Sequence, residues 1–149
     1  MTELHSDQRI NWLNQTCGFN TANGLKIDEW KDGEASLSVD LVPDHLNPLG
    51  FVHGGLYATM LDVSLAMSGS FRPEPDDLLP GLTLSLTLQY LTPLQLEDGF
   101  AMAKAWRTGG GNSIFFAEGK VFAPDERVIA MATGVFKPGR KPSRGKGLV

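Results

Sequence analysis

Apolar and polar residues alternate along several segments of the chain. Residues 34–42, EASLSVDLV, place an apolar side chain at every second position, which predicts a strand with one solvent-facing side. Residues 82–92, LTLSLTLQYLT, alternate with the same period and place four leucines and Tyr90 on one face. Both segments are therefore predicted to lie in a sheet.

A different pattern follows the glycine pair at 54–55. From Leu56 to about Ser70, apolar residues cover most of the helical circumference, which predicts a helix buried on nearly all sides. A membrane span needs about 20 residues, so this segment is too short to cross a bilayer. A weaker apolar stripe predicts a short N-terminal helix over residues 5–16.

Three more strand-like segments, at 99–108, 112–123 and 127–137, follow residues 82–92, which gives four consecutive strands with short connections. Consecutive strands joined by tight turns are antiparallel. One long apolar helix and one antiparallel sheet must bury each other's faces, which predicts a two-layer α+β domain. A single helix cannot cover so wide a sheet, so we expect the chain to pair with a copy of itself about a two-fold axis.

Composition and charge narrow the class of protein. The 149 residues are 42% hydrophobic and 20% charged, which fits one globular domain over 1–138 and a flexible basic tail over 139–149. The formal net charge is −4, and the residues up to 136 carry 8 basic against 17 acidic side chains. An acidic body binds nucleic acid poorly, so no nucleic-acid partner is expected.

The single cysteine, Cys17, excludes a disulfide within the chain and suits a reducing compartment. The polar, acidic start of the sequence lacks the apolar core of a signal peptide, and no apolar run reaches the length of a membrane span. We therefore expect a cytoplasmic protein with no membrane partner.

Gly54 and Gly55 stand where the apolar helix is predicted to begin. The first N–H groups of a helix have no partner within the helix, and the helix dipole adds partial positive charge there. Glycines also let another molecule approach the backbone closely, so this end suits an anion or a developing oxyanion. The alternative is that both glycines only allow a tight transition from loop to helix.

Asp62 is the one carboxylate inside the apolar helix. At about 1.5 Å per residue it lies roughly 12 Å along the axis from Gly54. Asp62 therefore cannot easily serve an oxyanion site at the start of its own helix, and cooperation between the two predicts a site shared between subunits. The alternative is a structural hydrogen bond, to Ser64, to Ser68 or to a strand threonine.

Two polar residues precede the helix. Asn47, before a proline, is a good turn residue, but it could also hold a water molecule or a carbonyl group. His53 could fix the loop through a ring hydrogen bond, or it could orient a thioester or the oxyanion donor. Each residue alone is a weak signal, whereas the spacing of Asn47, His53, Gly54 and Asp62 points to a single site.

The sequence from Asn47 to Asp62, NPLGFVHGGLYATMLD, resembles the hotdog-fold acyl-CoA thioesterases of the phenylacetate-degradation, or PaaI-like, type. The similarity extends to GLTLSLTLQYLTPL and VIAMATGVFKP, and covers about residues 34–138. The resemblance implies a hotdog fold, in which an antiparallel sheet wraps around one long central helix. It also implies dimers or dimers of dimers that hydrolyse aryl- or short- to medium-chain acyl-CoA to the free acid and CoA.

The same resemblance implies a role for each matching residue. Asp62 would act as base or nucleophile, the Gly54 N–H as oxyanion donor and Asn47 as the side chain that positions water or substrate. His53 would support the thioester, and Thr83 matches a hydroxyl beside the carboxylate. The acyl group would be bound by residues of the glycine step, the central helix and its neighbourhood: Gly55, Phe51, Tyr57, Met60 and Leu61.

No metal or cofactor is expected beyond the CoA of the substrate, because the three histidines lack the spacing of metal ligands. A hotdog hydratase would carry histidine directly after N-P-L, where this chain has Gly50. A non-catalytic acyl-CoA-binding relative would lack the carboxylate, which is present as Asp62. Three basic residues could meet the CoA phosphates or could be ordinary surface charges: Lys104, Arg107 and Arg140.

Overall fold

The computed structural model describes residues 2–72 and 81–139, with side chains from residue 8 onward. The tail predicted from residue 139, together with Arg140, lies outside the described residues except for Gly139. The helices are α1 (Thr2–Thr16), α2 (Gly18–Ala22) and α3 (Gly54–Ser68). The strands are β1 (Leu25–Lys31), β2 (Glu34–Asp40), β3 (Leu82–Tyr90), β4 (Phe100–Gly110), β5 (Phe115–Phe122) and β6 (Val128–Lys137).

The six strands form one antiparallel sheet in the order β1-β2-β4-β5-β6-β3. Helix α3 lies across one face of this sheet and contacts all six strands. This arrangement confirms the predicted α+β class and the hotdog fold. Within the described residues, no helix is both long enough and apolar enough to cross a membrane.

The predicted pairing of consecutive strands was wrong at one connection. Strand β3 pairs with β6 at the edge of the sheet, and β4 pairs with β2. The physical reason lies in residues 91–99, which are not a tight turn. Leu94 of this segment is fully buried, and its backbone bonds to Val52 and to Tyr57 near the start of α3. The segment therefore carries the chain past the helix from the edge to the middle of the sheet.

The N-terminal region also differs from the prediction. Helix α1 begins at Thr2 rather than at residue 5, and neither α2 nor β1 was predicted. Strand β1 has a register shift between Ile27 and Glu29, so its buried residues are Leu25, Ile27 and Trp30. A bulge adds one residue and breaks the period of two by which a strand is recognised in a sequence.

Small side chains line the face of the sheet that receives α3. They are all buried: Ala101, Ala103, Ala105, Ala117, Ala130 and Ala132. At Gly119 an added Cβ would lie 2.6 Å from Leu65 Cδ1 and 2.8 Å from the carbonyl oxygen of Lys104. The sheet thus accepts the helix at close range where these small residues lie.

Strand β3 carries a β-bulge between Thr83 and Ser85. A bulge inserts one residue, so side chains before and after it exchange faces. Leu86 and Leu88, after the bulge, pack against the core. Thr83, before it, stands opposite the fully buried Phe136 and therefore faces the helix as well.

The prediction that four leucines of β3 share one face with Tyr90 was therefore wrong, because the bulge breaks the alternation. Leu82 and Leu84 are 64% and 54% exposed. Tyr90 and Leu91 at the other end of the strand are 57% and 53% exposed. Since β3 is an edge strand, its free edge combines unpaired backbone groups with exposed apolar side chains.

Helix α3 is less enclosed than its composition predicts. It runs from Gly54 to Ser68 and buries nine side chains. One side remains open in the protomer, where Gly55 is exposed and Thr59 and Asp62 are half-buried. The carboxylate therefore lies on the accessible side of an otherwise buried helix.

Candidate active site

Asn47 organises the loop before α3. Its Oδ1 accepts hydrogen bonds from the N–H groups of Leu49, at 2.9 Å, and Phe51, at 3.1 Å. Gly50, with φ at +83°, donates its N–H to the carbonyl oxygen of Asn47 at 2.9 Å. The turn interpretation of Asn47 thus accounts for its oxygen, while Nδ2 makes no hydrogen bond to any residue of the described ranges. That N–H₂ group remains available as a donor.

His53 is the N-cap residue of α3. Its Nδ1 accepts the N–H of Gly55 at 2.9 Å, and its own N–H donates to the carbonyl oxygen of His45 at 2.8 Å. The ring of His45 lies 3.1 Å from the carbonyl oxygen of Asn23, which ties the loop to the N-terminal region. This geometry supports the interpretation that His53 fixes the loop. Because the His53 ring accepts the Gly55 N–H, that donor is not available to a ligand.

Replacing His53 by alanine is expected to lower the free energy of unfolding by about 1 kcal/mol, because the side chain caps the helix. Asparagine is a favoured N-cap residue, so His53→Asn should recover most of this loss. Urea denaturation of the three proteins measures the effect. If His53 acts only as a cap, the asparagine variant also keeps the wild-type rate of the acyl-CoA hydrolysis that the sequence resemblance implies. A rate lost in both variants despite recovered stability would instead assign the ring a direct role.

The N–H of Gly54 is the free donor at the start of the helix. Gly55 N–H is bonded to His53 and Leu56 N–H to the His53 carbonyl oxygen, whereas Gly54 N–H has no partner among the described residues. The ring of Tyr90 covers this position, since a Cβ at Gly54 would lie 3.2 Å from Tyr90 Cε1. A cavity of about 320 Å³ opens here, lined by residues that include Asn47, Phe51, Gly54, Tyr57 and Tyr90.

Tyr57 forms a firm wall of this cavity. Its ring is buried, its Oη accepts the N–H of Leu94 at 3.2 Å, and burial raises the pKa of its phenol above 10.0. Met60 and Leu61, which were also predicted to line the acyl pocket, are 0% exposed in the protomer. They therefore offer no surface to a ligand within one protomer.

Asp62 lies two turns further along α3. Its Oδ1 accepts a hydrogen bond from the Thr83 hydroxyl at 2.6 Å. Ser64 and Ser68 donate instead to carbonyl oxygens of their own helix. Of the structural partners considered for Asp62, the strand threonine is therefore the one that it has. Its Oδ2 has no hydrogen bond to any residue that the structure describes.

Within one protomer the predicted site residues fall into separate groups. Asp62 and Thr83 line a cavity of about 200 Å³ that shares no lining residue with the cavity at Gly54. His53 and Gly55 line a third cavity of about 240 Å³. The structure thus brings Asn47, Phe51, Gly54 and Tyr57 together, and it brings Asp62 and Thr83 together elsewhere.

Of the cations considered for CoA binding, the structure describes Lys104 and Arg107, and neither lines the cavity at Gly54 or the cavity at Asp62. Lys104 is exposed on a strand whose neighbours Ala103 and Ala105 face the core, so its side chain extends from the outer face of the sheet. Arg107 donates to the carbonyl oxygens of Gly109 and Gly111. No cluster of His, Cys, Asp or Glu among the described residues could hold a metal ion.

Comparison with known proteins places this geometry in a family. Residues 49–130, which contain the glycine step, Asp62 and strands β3 to β5, match the model of the thioesterase superfamily. This chain belongs to the thioesterase superfamily. It is a thioester hydrolase with a hotdog fold, as the sequence motif predicted.

Three relatives illustrate the similarity. A candidate esterase of Pseudomonas aeruginosa is 32% identical over 108 residues, which cover 71% of this chain and 78% of the relative. The E. coli PaaI protein of the phenylacetic acid degradation operon superposes with a TM-score of 0.79 at 16% identity, covering 94% of this chain and 97% of that one. A thioesterase of Haemophilus influenzae gives 0.77 at 15% identity, covering 92% and 94%.

Two features of this thioesterase were absent from the sequence prediction. One is Tyr90, whose ring lies against Gly54 from the end of an edge strand. The other is the N-terminal wall of the cavity beside Asp62, to which Cys17 and Asn20 contribute. No local sequence pattern indicates either feature, because both depend on contacts between segments that are far apart in the sequence.

Proposed function

We propose that this chain hydrolyses acyl-CoA thioesters at a site formed by two protomers. Asn47 and Gly54 of one protomer would meet Asp62 and Thr83 of the other. The observation that carries this proposal is the separation of the two groups: Gly54, whose N–H has no partner among the described residues, and Asp62 line different cavities of one protomer. A single thioester carbonyl needs both groups at once.

The edge strand β3 supports this assembly. Gly54 lies under Tyr90 at one end of β3, and Asp62 is bonded to Thr83 at the other end. Two β3 edges paired antiparallel about a two-fold axis would place the start of one strand beside the end of the other. That pairing brings Gly54 of one protomer towards Asp62 of its partner, twice per dimer.

The same pairing would bury the exposed apolar side chains of the edge strand β3. An exposed edge strand with apolar side chains is a site for association with another chain. Leu82, Leu84, Tyr90 and Leu91 are each more than half exposed in the protomer. A second copy along β3 would cover them and would enclose the open side of α3.

The chemistry requires no metal. The Gly54 N–H would stabilise the oxyanion that forms when the thioester carbonyl is attacked. Asp62 would either remove a proton from the attacking water or attack the carbonyl itself, with Thr83 holding Oδ1 and leaving Oδ2 to react. Asn47 Nδ2 would orient the water or the carbonyl. Collapse of the intermediate would break the C–S bond and release the CoA thiolate, which would take up the proton that Asp62 removed from the water. If Asp62 attacks the carbonyl itself, the thiolate would take its proton from solvent, and water would then hydrolyse the acyl-aspartyl anhydride to the free acid. The aryl or short- to medium-chain identity of the acyl group and the cytoplasmic location stay predictions.

The proposal is tested by measuring thiol release from a panel of acyl-CoA thioesters. We expect CoA release from at least one aryl- or medium-chain thioester, at a rate unaffected by a chelator. Enoyl-CoA is included in the same panel. Its hydration without thiol release would favour the hydratase alternative, and binding without any turnover would favour an acyl-CoA-binding protein.

A further inference from the structure

The cavity beside Asp62 has a wall built by the N-terminal part of the chain. Its volume is about 200 Å³, and Asp62 and Thr83 lie on its α3 and β3 side. Most of its lining is apolar and comes from α1, β1 and α3: Leu13, Ile27, Trp30, Val63, Ala66 and Met67. It is therefore an apolar chamber that begins at the proposed catalytic carboxylate.

One polar side chain is buried in this wall. Asn20 of α2 is 7% exposed, whereas the neighbouring Phe19 is 62% exposed. This order inverts the usual preference, in which the amide faces water and the ring is buried. Asn20 lines the chamber. Its burial therefore needs an explanation other than hydrophobic packing.

The amide of Asn20 makes no hydrogen bond with any residue in the described ranges. Yet no fully occluded side-chain nitrogen or oxygen atom in those ranges lacks a partner. The side-chain nitrogen and oxygen of Asn20 are therefore not fully occluded, and the residue lines the chamber. A largely buried amide without a protein partner must find its hydrogen bonds with water or with a ligand.

Two other polar side chains of the elements that form this wall, Asn14 and Trp30, are bonded to the backbone, which sets Asn20 apart. Asn14 Oδ1 accepts the N–H of Ile27 at 2.8 Å, and its Nδ2 donates to the Ile27 carbonyl oxygen at 3.1 Å. Trp30 Nε1 donates to the carbonyl oxygen of Met67 at 2.8 Å. These bonds fasten α1 to β1 and β1 to α3, the three elements that supply the apolar lining of the chamber.

We infer that this chamber binds the acyl group and that Asn20 selects acyl groups with a hydrogen-bonding substituent, such as a hydroxyl, away from the thioester. The inference rests on the proposed function, because it takes Asp62 as the position of the reacting carbonyl. A cavity of about 150 Å³ holds a benzene molecule, so this chamber accepts one ring or a chain of about six carbons. Long fatty acyl chains do not fit.

Matched substrates test the inference. We expect the wild-type enzyme to hydrolyse hexanoyl-CoA with a hydroxyl on the last or next-to-last carbon about tenfold faster, in kcat/KM, than hexanoyl-CoA itself, because a site with a buried hydrogen-bonding group rejects the analogue that lacks the partner. Asn20→Leu should reverse this order by losing the hydroxylated substrates and keeping or improving hexanoyl-CoA. Asn20→Ala should abolish the preference without added bulk.

The outcomes separate this inference from the proposed function. Equal rates on hydroxylated and plain substrates in the wild type, or equal losses on both in the variants, would reduce Asn20 to a structural role and overturn the inference. Hydrolysis of hexanoyl-CoA by Asn20→Leu would at the same time leave the thioesterase proposal standing. Palmitoyl-CoA hydrolysed as fast as hexanoyl-CoA would overturn the size limit.

Discussion

Replacing Asp62 by asparagine is expected to lower kcat for acyl-CoA hydrolysis by about 10²–10⁴-fold, the usual contribution of a positioned base. Asparagine keeps the size of the side chain and an oxygen that can accept the Thr83 hydroxyl. It removes the carboxylate whose Oδ2 is unbonded within the described residues. Because the side chain is half-buried and bonded to one hydroxyl, the fold should survive the change.

Steady-state thiol release, with circular dichroism as a check on folding, measures this effect. Thr83→Val provides the matched control, since it removes the hydroxyl that holds Oδ1 and leaves the carboxylate. We expect a smaller loss of kcat in that variant than in Asp62→Asn. An Asp62→Asn enzyme within tenfold of the wild-type kcat would show that the carboxylate is only a structural partner of Thr83.

The sequence predicted the fold correctly in segments whose apolar residues follow a regular pattern. The alternation in β2 and the apolar run of α3 each report local burial, and together they predict a sheet packed on one helix. Strand β1 escaped because its bulge shifts the buried positions from Ile27 to Trp30. Strand β3 was predicted, but the bulge after Thr83 shifts its buried positions as well. As a result, Leu82 and Leu84 are exposed, although the alternation placed them on the buried face.

The order of the strands in the sheet was harder to predict than which segments form strands. Whether β3 pairs with β4 or with β6 depends on how residues 91–99 cross the molecule, and that is decided by the burial of Leu94 and its contacts with Val52 and Tyr57. These contacts join positions about 40 residues apart along the chain. No local pattern specifies them.

Some residues of the candidate site could be predicted from the sequence and others could not. The motif located the free N–H of Gly54, and the resemblance supplied the pairing of Asp62 with Thr83 across 21 positions. The sequence left open whether His53 is a cap, which its hydrogen bond to Gly55 now supports. Asn20 carried no signal, because its position beside Asp62 follows from the packing of α2 against the rest of the domain.

A second large effect is expected from mixing two inactive variants. Gly54→Pro removes the proposed oxyanion donor and should cost about 10²–10³-fold in kcat. Proline is well suited to the first position of a helix, and it requires an extended residue before it. His53 already has φ −66° and ψ 134°, so the backbone fits this change. A Cβ at position 54 would lie 3.2 Å from Tyr90 Cε1, so the tyrosine ring needs to move by only a few tenths of an ångström.

Co-refolding Gly54→Pro with Asp62→Asn in equal amounts should restore activity that neither variant has alone. In a mixed dimer with shared sites, one site receives both defects and the other receives neither. If dimers form at random, half are mixed and half of their sites are intact, so the expected recovery is about a quarter of wild-type activity. A site contained within one chain gives every site of the mixed dimer a defect, and the mixture would then stay as inactive as its components. Because both models give the same result for each variant alone, only the mixture distinguishes them.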